Sequence, residues 1–404
     1  MSDEGVLVVE NNTVFKERIR FPIPTRELER RWKLVREAMK KQGIDLLIMQ
    51  NDNKFLGGYV RYFTDIPAEH AYPVSVLFSA NEEMITIASS PPGNPLYPAW
   101  AARGVTQRIG VPYFRSMHYT NSYDAEAMTK IIKDRKYQTV GFVNLGLINT
   151  ALSSYLKDNL SGVRFVDATD LVDEIKAVKS EDELVYVRKA VEMHDNICAA
   201  LSSIIRPGIY EFQIINEMKY LMSNLGSEEH LIKLGSAPAD EPTPFLDTFF
   251  QNRQIKDGDN IQILIECSGP GGYYSEFQRV WCLGEPSQDL QDAWETSKNV
   301  QIYAASILKP GVTSKEVISK VNEYLVSIGQ PMETRIFGHG QGYDLVERPG
   351  ISADENMKIQ ANMYFGLHSS IAIGKAVGTY TDNYLITEDG AVRMHKTPME
   401  IIRL

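Results

Sequence analysis

Laid side by side, "IIRPGIYEFQIINEMKYLMSNLG" (204–226) and "ILKPGVTSKEVISKVNEYLVSIG" (307–329) align without a gap. Each copy carries a basic residue, Pro-Gly and a short polar turn, then a helix-period run of apolar side chains that closes on glycine. The match reads as a duplicated helix-and-strand half-domain. Two such halves would pack their sheets together and leave a cleft near a pseudo-twofold axis, where side chains from both copies would converge.

Upstream of the repeat the pattern changes. Leu28, Trp32, Val35 and Met39 recur at helical spacing over 25–42, and Gly43 ends that run. "IDLLIMQ", "PVSVLFSA", "MITIASS" and "TVGFV" follow as short apolar runs of strand length, separated by turn-rich or helical segments, which predicts an α/β domain. Ser180 and Glu183 then read as a capping box, with Leu184, Val187, Val191 and Met193 lining one helical face. The boundary is placed there: 1–173 as the N-terminal α/β domain, 174–404 as the domain with the internal repeat. With 404 residues, 43% of them hydrophobic, both domains can have a real core.

Charge and cysteine usage narrow the class. A net charge of -10 argues against a nucleic-acid partner. The first thirty residues lack an apolar run of signal-peptide length and the longest apolar stretches are strand-sized, so no membrane segment is expected. Cys198, Cys267 and Cys282 have no CxxC spacing and cannot all pair, which suits a reducing cytoplasm.

The chemistry concentrates around "IECSGPGGYYSEFQR" (265–279), where Glu266 and Glu276 are expected to lie near one another across a hairpin turning at about Gly271. Two close carboxylates repel, so one takes a proton or a cation sits between them. A metal ion, a shared proton, a basic substrate or a merely solvated hairpin would each answer to that pattern. His339, between Gly338 and Gly340, has no bulky neighbour to block a ligand and is the first candidate for general acid or base. His368 is the second, placed to activate water or to orient His339.

In order along the chain, "IKAVKSEDELVYVRKA", both Pro-Gly helices, "RQIKDGDNIQILIE", "GGYYSEFQRVWCLGEP", "FGHGQGYDLVERPGI", "ANMYFGLHSSIA" and "YTDNYLITEDGAVRM" resemble the creatinase, prolidase and aminopeptidase P family. The resemblance covers most of the chain and implies an N-terminal creatinase-like α/β domain followed by a C-terminal α+β pita-bread domain. Peptidases of that family bind two metal ions through two aspartates, a histidine and two glutamates. Matched position by position, those ligands fall on Glu266, Glu276, His339, His368 and Thr381, so the two-metal set is degenerate. Asp247 stands where a proton-handling histidine is expected, and Val346 replaces another.

Threonine cannot supply the bridging charge of a two-ion centre. The resemblance to creatinase then implies a small-molecule enzyme: a hydrolase that cleaves a C–N bond in a small polar or zwitterionic compound without metal or other cofactor. Its catalytic residues would be His339, His368, Glu266, Glu276 and Asp247. Tyr274, Arg279, Glu347 and Tyr380 are the substrate-binding candidates of the second domain, Arg279 reading first as a brace of the cleft paired with a carboxylate and only second as a substrate contact. Arg61 and His70 match a region that in creatinase-like relatives reaches a neighbouring subunit's site, which implies a homodimer. Two alternatives stay open. One is a mononuclear hydrolase or C–S lyase holding one iron, zinc or manganese ion on Glu276, His339 and His368. The other is a catalytically inactive binding module.

Overall fold

A computed structural model of the protein describes residues 20–91, 101–112, 122–244 and 252–404. The chain divides into two compact units between Lys176 and Ala177. In the first, the amphipathic run forms the helix Thr25–Gln42, which stops because Gly43 turns left-handed at φ 65° and its N–H closes on the last carbonyls. The apolar runs become β1 (Leu46–Asn51), β2 (Val74–Ser79), β3 (Met84–Ser89) and, after β4 (Val105–Val111), β5 (Thr139–Phe142). With β6 (Arg164–Asp167) they make a mixed sheet in the order β4-β3-β2-β1-β5-β6. Its core joins Leu46, Ile48, Leu77, Ile85, Phe142 and the buried faces of helices Tyr123–Arg135 and Thr150–Asn159. The two edge strands, β4 and β6, went unread in the sequence for a physical reason. Each exposes part of its length to solvent and so lacks a continuous apolar run.

The second unit opens with the helix Glu181–Ile204, whose capping box has Ser180 Oγ accepting from the Glu183 N–H at 3.2 Å and the Glu183 carboxylate accepting from the Ser180 N–H at 2.8 Å. The repeat is then visible in the backbone. Gly208 and Gly311 after each Pro take φ 89° and 92°, and the closing glycines Gly226 and Gly329 take 103° and 77°. Gly208 N–H donates to Ile255 O at 2.8 Å, and Gly311 N–H to Ile359 O at 2.9 Å. Helices Glu211–Leu225 and Ser314–Ser327 each start on a side chain that caps its own entry, Gln213 on Tyr210 N–H and Glu316 on Thr313 N–H.

Each half has its own core. One joins the helices 181–204 and 211–225 to β7 (Glu229–Pro238), β8 (Asp259–Ser268) and β9 (Tyr274–Cys282). The other joins the helices Gln288–Ile307 and 314–327 to β12 (Tyr364–Ile373) and β13 (Ala376–Thr387), with Phe337 and Ile351 entering it beside β10 (Gly338–Gly340) and β11 (Glu347–Gly350). A single sheet runs β11-β10-β12-β13-β9-β8-β7, with β14 (Gly390–Arg393) on β13 and β15 (Ile402–Arg403) on β9. The halves therefore meet where β9 lies beside β13, and there the ladder register reduces to Thr381 opposite Gln278.

Side chains hold that seam. Arg279 of β9, fully buried, donates from Nη2 to Asp382 of β13 at 2.8 Å, and its other nitrogens donate to Gln278 O, Thr381 O and Pro398 O. Its guanidinium carbon lies 4.2 Å from the Phe277 ring centre and 4.4 Å from that of Tyr380. Tyr380 Oη and Arg393 also donate to Asp382. Burial alone would push the Asp382 carboxyl up, but Arg279, His395 and Arg393 outweigh it and hold the group ionised. Removing one partner of a buried pair strands the other, which costs about 3–5 kcal/mol. Asp382→Ala should lose stability on that scale in equilibrium denaturation, and a loss under about 1 kcal/mol, within the range of a surface pair, would show that the seam does not depend on this carboxylate.

Candidate active site

Strand parity decides which side chains look into the cleft. Successive residues of a strand point to opposite faces, so on β9 Glu276 and Gln278 share one face while Phe277 and Arg279 share the other. On β13 Thr381 and Asn383 lie on the site side, and Tyr380 and Asp382 on the brace side. β8 contributes Glu266, which the ladder sets directly opposite Glu276. His339 comes from β10 and His368 from β12, neighbouring strands of the second half.

These groups converge. His339 Nε2 and His368 Nε2 are 3.1 Å apart, His368 Nε2 is 3.2 Å from Glu276 Oε2, and His339 Nε2 is 3.8 Å from Glu276 Oε1. Glu276 is fully buried, and among the described residues no backbone N–H, amide or alcohol hydrogen reaches either of its carboxylate oxygens. Its backbone is pinned instead: Asn383 Oδ1 accepts from the Glu276 N–H at 2.8 Å, and the Glu276 carbonyl faces His395 Nε2 at 3.0 Å. Gly366, opposite His339 in the ladder, leaves the space that the Glu276 carboxylate fills; a Cβ there would overlap Oε1. His339 Nδ1 lies 3.0 Å from the Gly340 carbonyl and His368 Nδ1 lies 3.2 Å from Thr381 Oγ1. A carbonyl only accepts, so His339 carries its hydrogen on Nδ1 and turns a lone pair on Nε2 toward the cluster.

The electrostatics follow from burial. Desolvation pushes Glu276 up to about 7, and desolvation together with the facing Glu276 carboxylate pushes Glu266 up to about 8. Burial lowers both His339 and His368, more than the nearby carboxylates raise them. At neutral pH the cluster therefore holds two neutral imidazoles beside a pair of carboxyls that retains a proton.

Of the other nominated residues, Tyr274 shares the Glu276 face of β9 by the same alternation. Arg279 pairs with the Asp382 carboxylate on the opposite face, the brace expected of it first, and Tyr380, a substrate candidate, is committed to the same carboxylate. Glu347 is taken by Lys179, 2.8 Å away with both side chains buried, and accepts from the Asp344 N–H. Tyr274 is buried at the end of the hairpin, its N–H on Gly342 O. Asp247 lies outside the described residues. Arg61, in the helix Tyr59–Thr64, and His70, exposed with its ring 5.8 Å from that of Phe55, belong to the first unit. Gln278, Asn383, Gly366 and His395 were not singled out from the sequence. Alternation along β9 and β13 is the signal that could have found the first two.

Residues 185–397 match the model of metallopeptidase family M24, and residues 31–178 match the creatinase/prolidase N-terminal domain. The chain belongs to metallopeptidase family M24. Among its relatives, the probable dipeptidase PepE of Mycobacterium tuberculosis is 28% identical over 246 residues, 60% of this chain and 64% of PepE. The uncharacterized hydrolase/peptidase y4tL of Sinorhizobium fredii is 25% identical over 391 residues, 94% of this chain and 97% of y4tL. The fold is that of the X-Pro aminopeptidase of Thermotoga maritima, with a TM-score of 0.75 at 21% identity, covering 92% of this chain and 99% of that one.

A metallopeptidase family implies a metal, and the donor set answers for one ion. Glu276, His339 and His368 present ligand atoms within 4.8 Å of one another, the group of this kind found among the described residues. Their separations of 3.1 to 3.8 Å bracket the ligand-to-ligand edge of about 3.4 Å that tetrahedral zinc requires. The two unmet oxygens of Glu276 supply the charge. A second ion does not fit: Glu266 is outside this group, and Thr381 brings no anionic oxygen to bridge two dications.

A carboxyl raised by folding destabilises the fold as pH rises from its unfolded value to its folded one. With divalent ions chelated, Glu266→Gln should therefore melt higher than the parent by a margin that opens above about pH 4.5, widens toward about pH 8 and then levels. A margin independent of pH would show that the two carboxyls do not share the cluster.

Proposed function

We propose that this chain is a hydrolase of a C–N bond in a small polar or zwitterionic amide or peptide, with Glu276, His339 and His368 holding one divalent ion. The observation that carries this reading is the buried carboxylate of Glu276, whose oxygens receive no N–H or alcohol hydrogen from the described residues and face two imidazole nitrogens. It favours the one-ion alternative over the metal-free hydrolase that the creatinase resemblance implies. Kinship with dipeptidases and Xaa-Pro dipeptidases supports C–N chemistry.

When bound, the ion would supply Lewis-acid polarisation of the scissile carbonyl. The chain supplies the rest. Glu266 is opposite Glu276 in the ladder yet outside the ligand set; once an ion on Glu276 displaced the proton the pair shares, the Glu266 carboxylate would be the group left to take a proton from the attacking water and return it to the leaving nitrogen. The buried walls around Glu276 exclude bulk water and strengthen each polar contact. A homodimer in which Arg61 or His70 completes a neighbouring chain's site is part of the same proposal, carried by the creatinase resemblance. The three buried, unpaired cysteines support a cytoplasmic setting, and no helix among the described residues is long and apolar enough to cross a membrane.

A second reading keeps the centre metal-free. It is favoured by the 3.1 Å contact between the two Nε2 atoms, through which one imidazole could donate to the other and the pair move a proton as a unit. Turnover of a panel of dipeptides, including Xaa-Pro, and of cyclic amides separates the two. The one-ion reading expects chelation and His368→Ala to remove activity together. Glu266→Gln should lower turnover by two to four orders of magnitude, about the range for a lost general acid or base, while the ion stays bound. Full activity after exhaustive chelation would favour the metal-free pair.

A further inference from the structure

Each imidazole nitrogen in this cluster has an assigned neighbour except the two Nε2 atoms, which face one another and Glu276. What decides whether His368 can act as a ligand is the far side of its ring. There, at 3.2 Å from Nδ1, sits the hydroxyl of Thr381, itself fully buried. A hydroxyl has one hydrogen to give and two lone pairs to accept with. That hydrogen goes to Gln278 Oε1 at 3.4 Å, across the one register pair that joins β9 to β13. With its hydrogen spent, Thr381 Oγ1 meets His368 only as an acceptor, and His368 must carry its own hydrogen on Nδ1.

The geometry points to Thr381 as a positioning residue: through Gln278 it fixes His368 in the tautomer whose Nε2 lone pair faces Glu276 and His339, and so presets a two-nitrogen, one-carboxylate site for zinc or iron(II) rather than magnesium or calcium. The Gly340 carbonyl does for His339 what Thr381 does for His368. A ring held by a hydrogen bond at its other nitrogen is both oriented and more basic toward the ion, and loss of such a partner typically costs 10–100-fold in metal affinity. Imidazole donors suit the later divalent ions, whereas magnesium and calcium take oxygen.

This inference rests on the one-ion reading and is tested on the full chain without reference to turnover. Zinc affinity is measured by competition with a chromophoric chelator for the parent, Thr381→Ser and Thr381→Val. The hydroxyl of serine should keep the parent's affinity, and valine should weaken it by about 10–100-fold while one ion per chain still binds at high zinc. Magnesium and calcium should not compete at millimolar concentration. Unchanged affinity in Thr381→Val, with zinc bound at one per chain, would overturn the role of Thr381 alone. A parent that binds no zinc would overturn the one-ion reading and this inference with it. Should Thr381→Val fail to fold, the parent itself decides: nitrogen NMR of the zinc-free protein, with His368 assigned by its loss in His368→Asn, should show the hydrogen on Nδ1, and a hydrogen on Nε2 would overturn the inference.

Discussion

The pairing of Arg279 with Asp382 is the interaction on which the rest of the second unit depends. The two halves of the repeat build separate cores, and where their strands meet the ladder narrows to Thr381 beside Gln278. Glu266 and Glu276 come from one half, His339 and His368 from the other. Their mutual distances are therefore set by whatever fixes β9 against β13, and that is a buried guanidinium held by a carboxylate, three carbonyls and two aromatic rings. Parity ties brace and site together: each residue that points away from the cleft and locks the seam is next in sequence to one that points into it.

On the cleft side the same burial that gives the centre precision makes it electrostatically costly. Two carboxyls lie opposite one another with little access to water, and the imidazoles beside them are pushed toward neutrality. Among the described residues no cation faces Glu276, and a proton shared with Glu266 is its one source of neutralisation besides the imidazoles. A single divalent ion satisfies the carboxylate and both imidazole lone pairs at once. Two ions would need a further bridging anion, and the position that could have offered one is a threonine whose hydroxyl is spent on Gln278 and His368.

Much of the architecture was legible in the sequence. The repeat was visible because glycine is required at its left-handed turns, and those glycines recur at matched places in both copies. The four strands with continuous apolar runs appear as strands, whereas β4 and β6 lie at sheet edges and carry no such run. The glutamates were legible because the hairpin that joins them is local. Thr381 and Gln278 were read only as a lost ligand and as nothing, since neither ionises and 103 residues of chain separate them. The carboxylate pairing of Arg279 was legible, whereas Tyr380 and Glu347 are chemically suited to bind substrate, and composition alone could not reveal that buried partners already engage them.

The central claim is that this M24 chain has one metal position where a bridging carboxylate would be needed for two. The direct measurement is calorimetric titration of the chelated, dialysed protein with zinc, with the bound metal then counted by elemental analysis. One tightly bound ion per chain, lost in His339→Ala and in Glu276→Gln, is the expected result. Two ions per chain, or no binding by the folded protein, would contradict it.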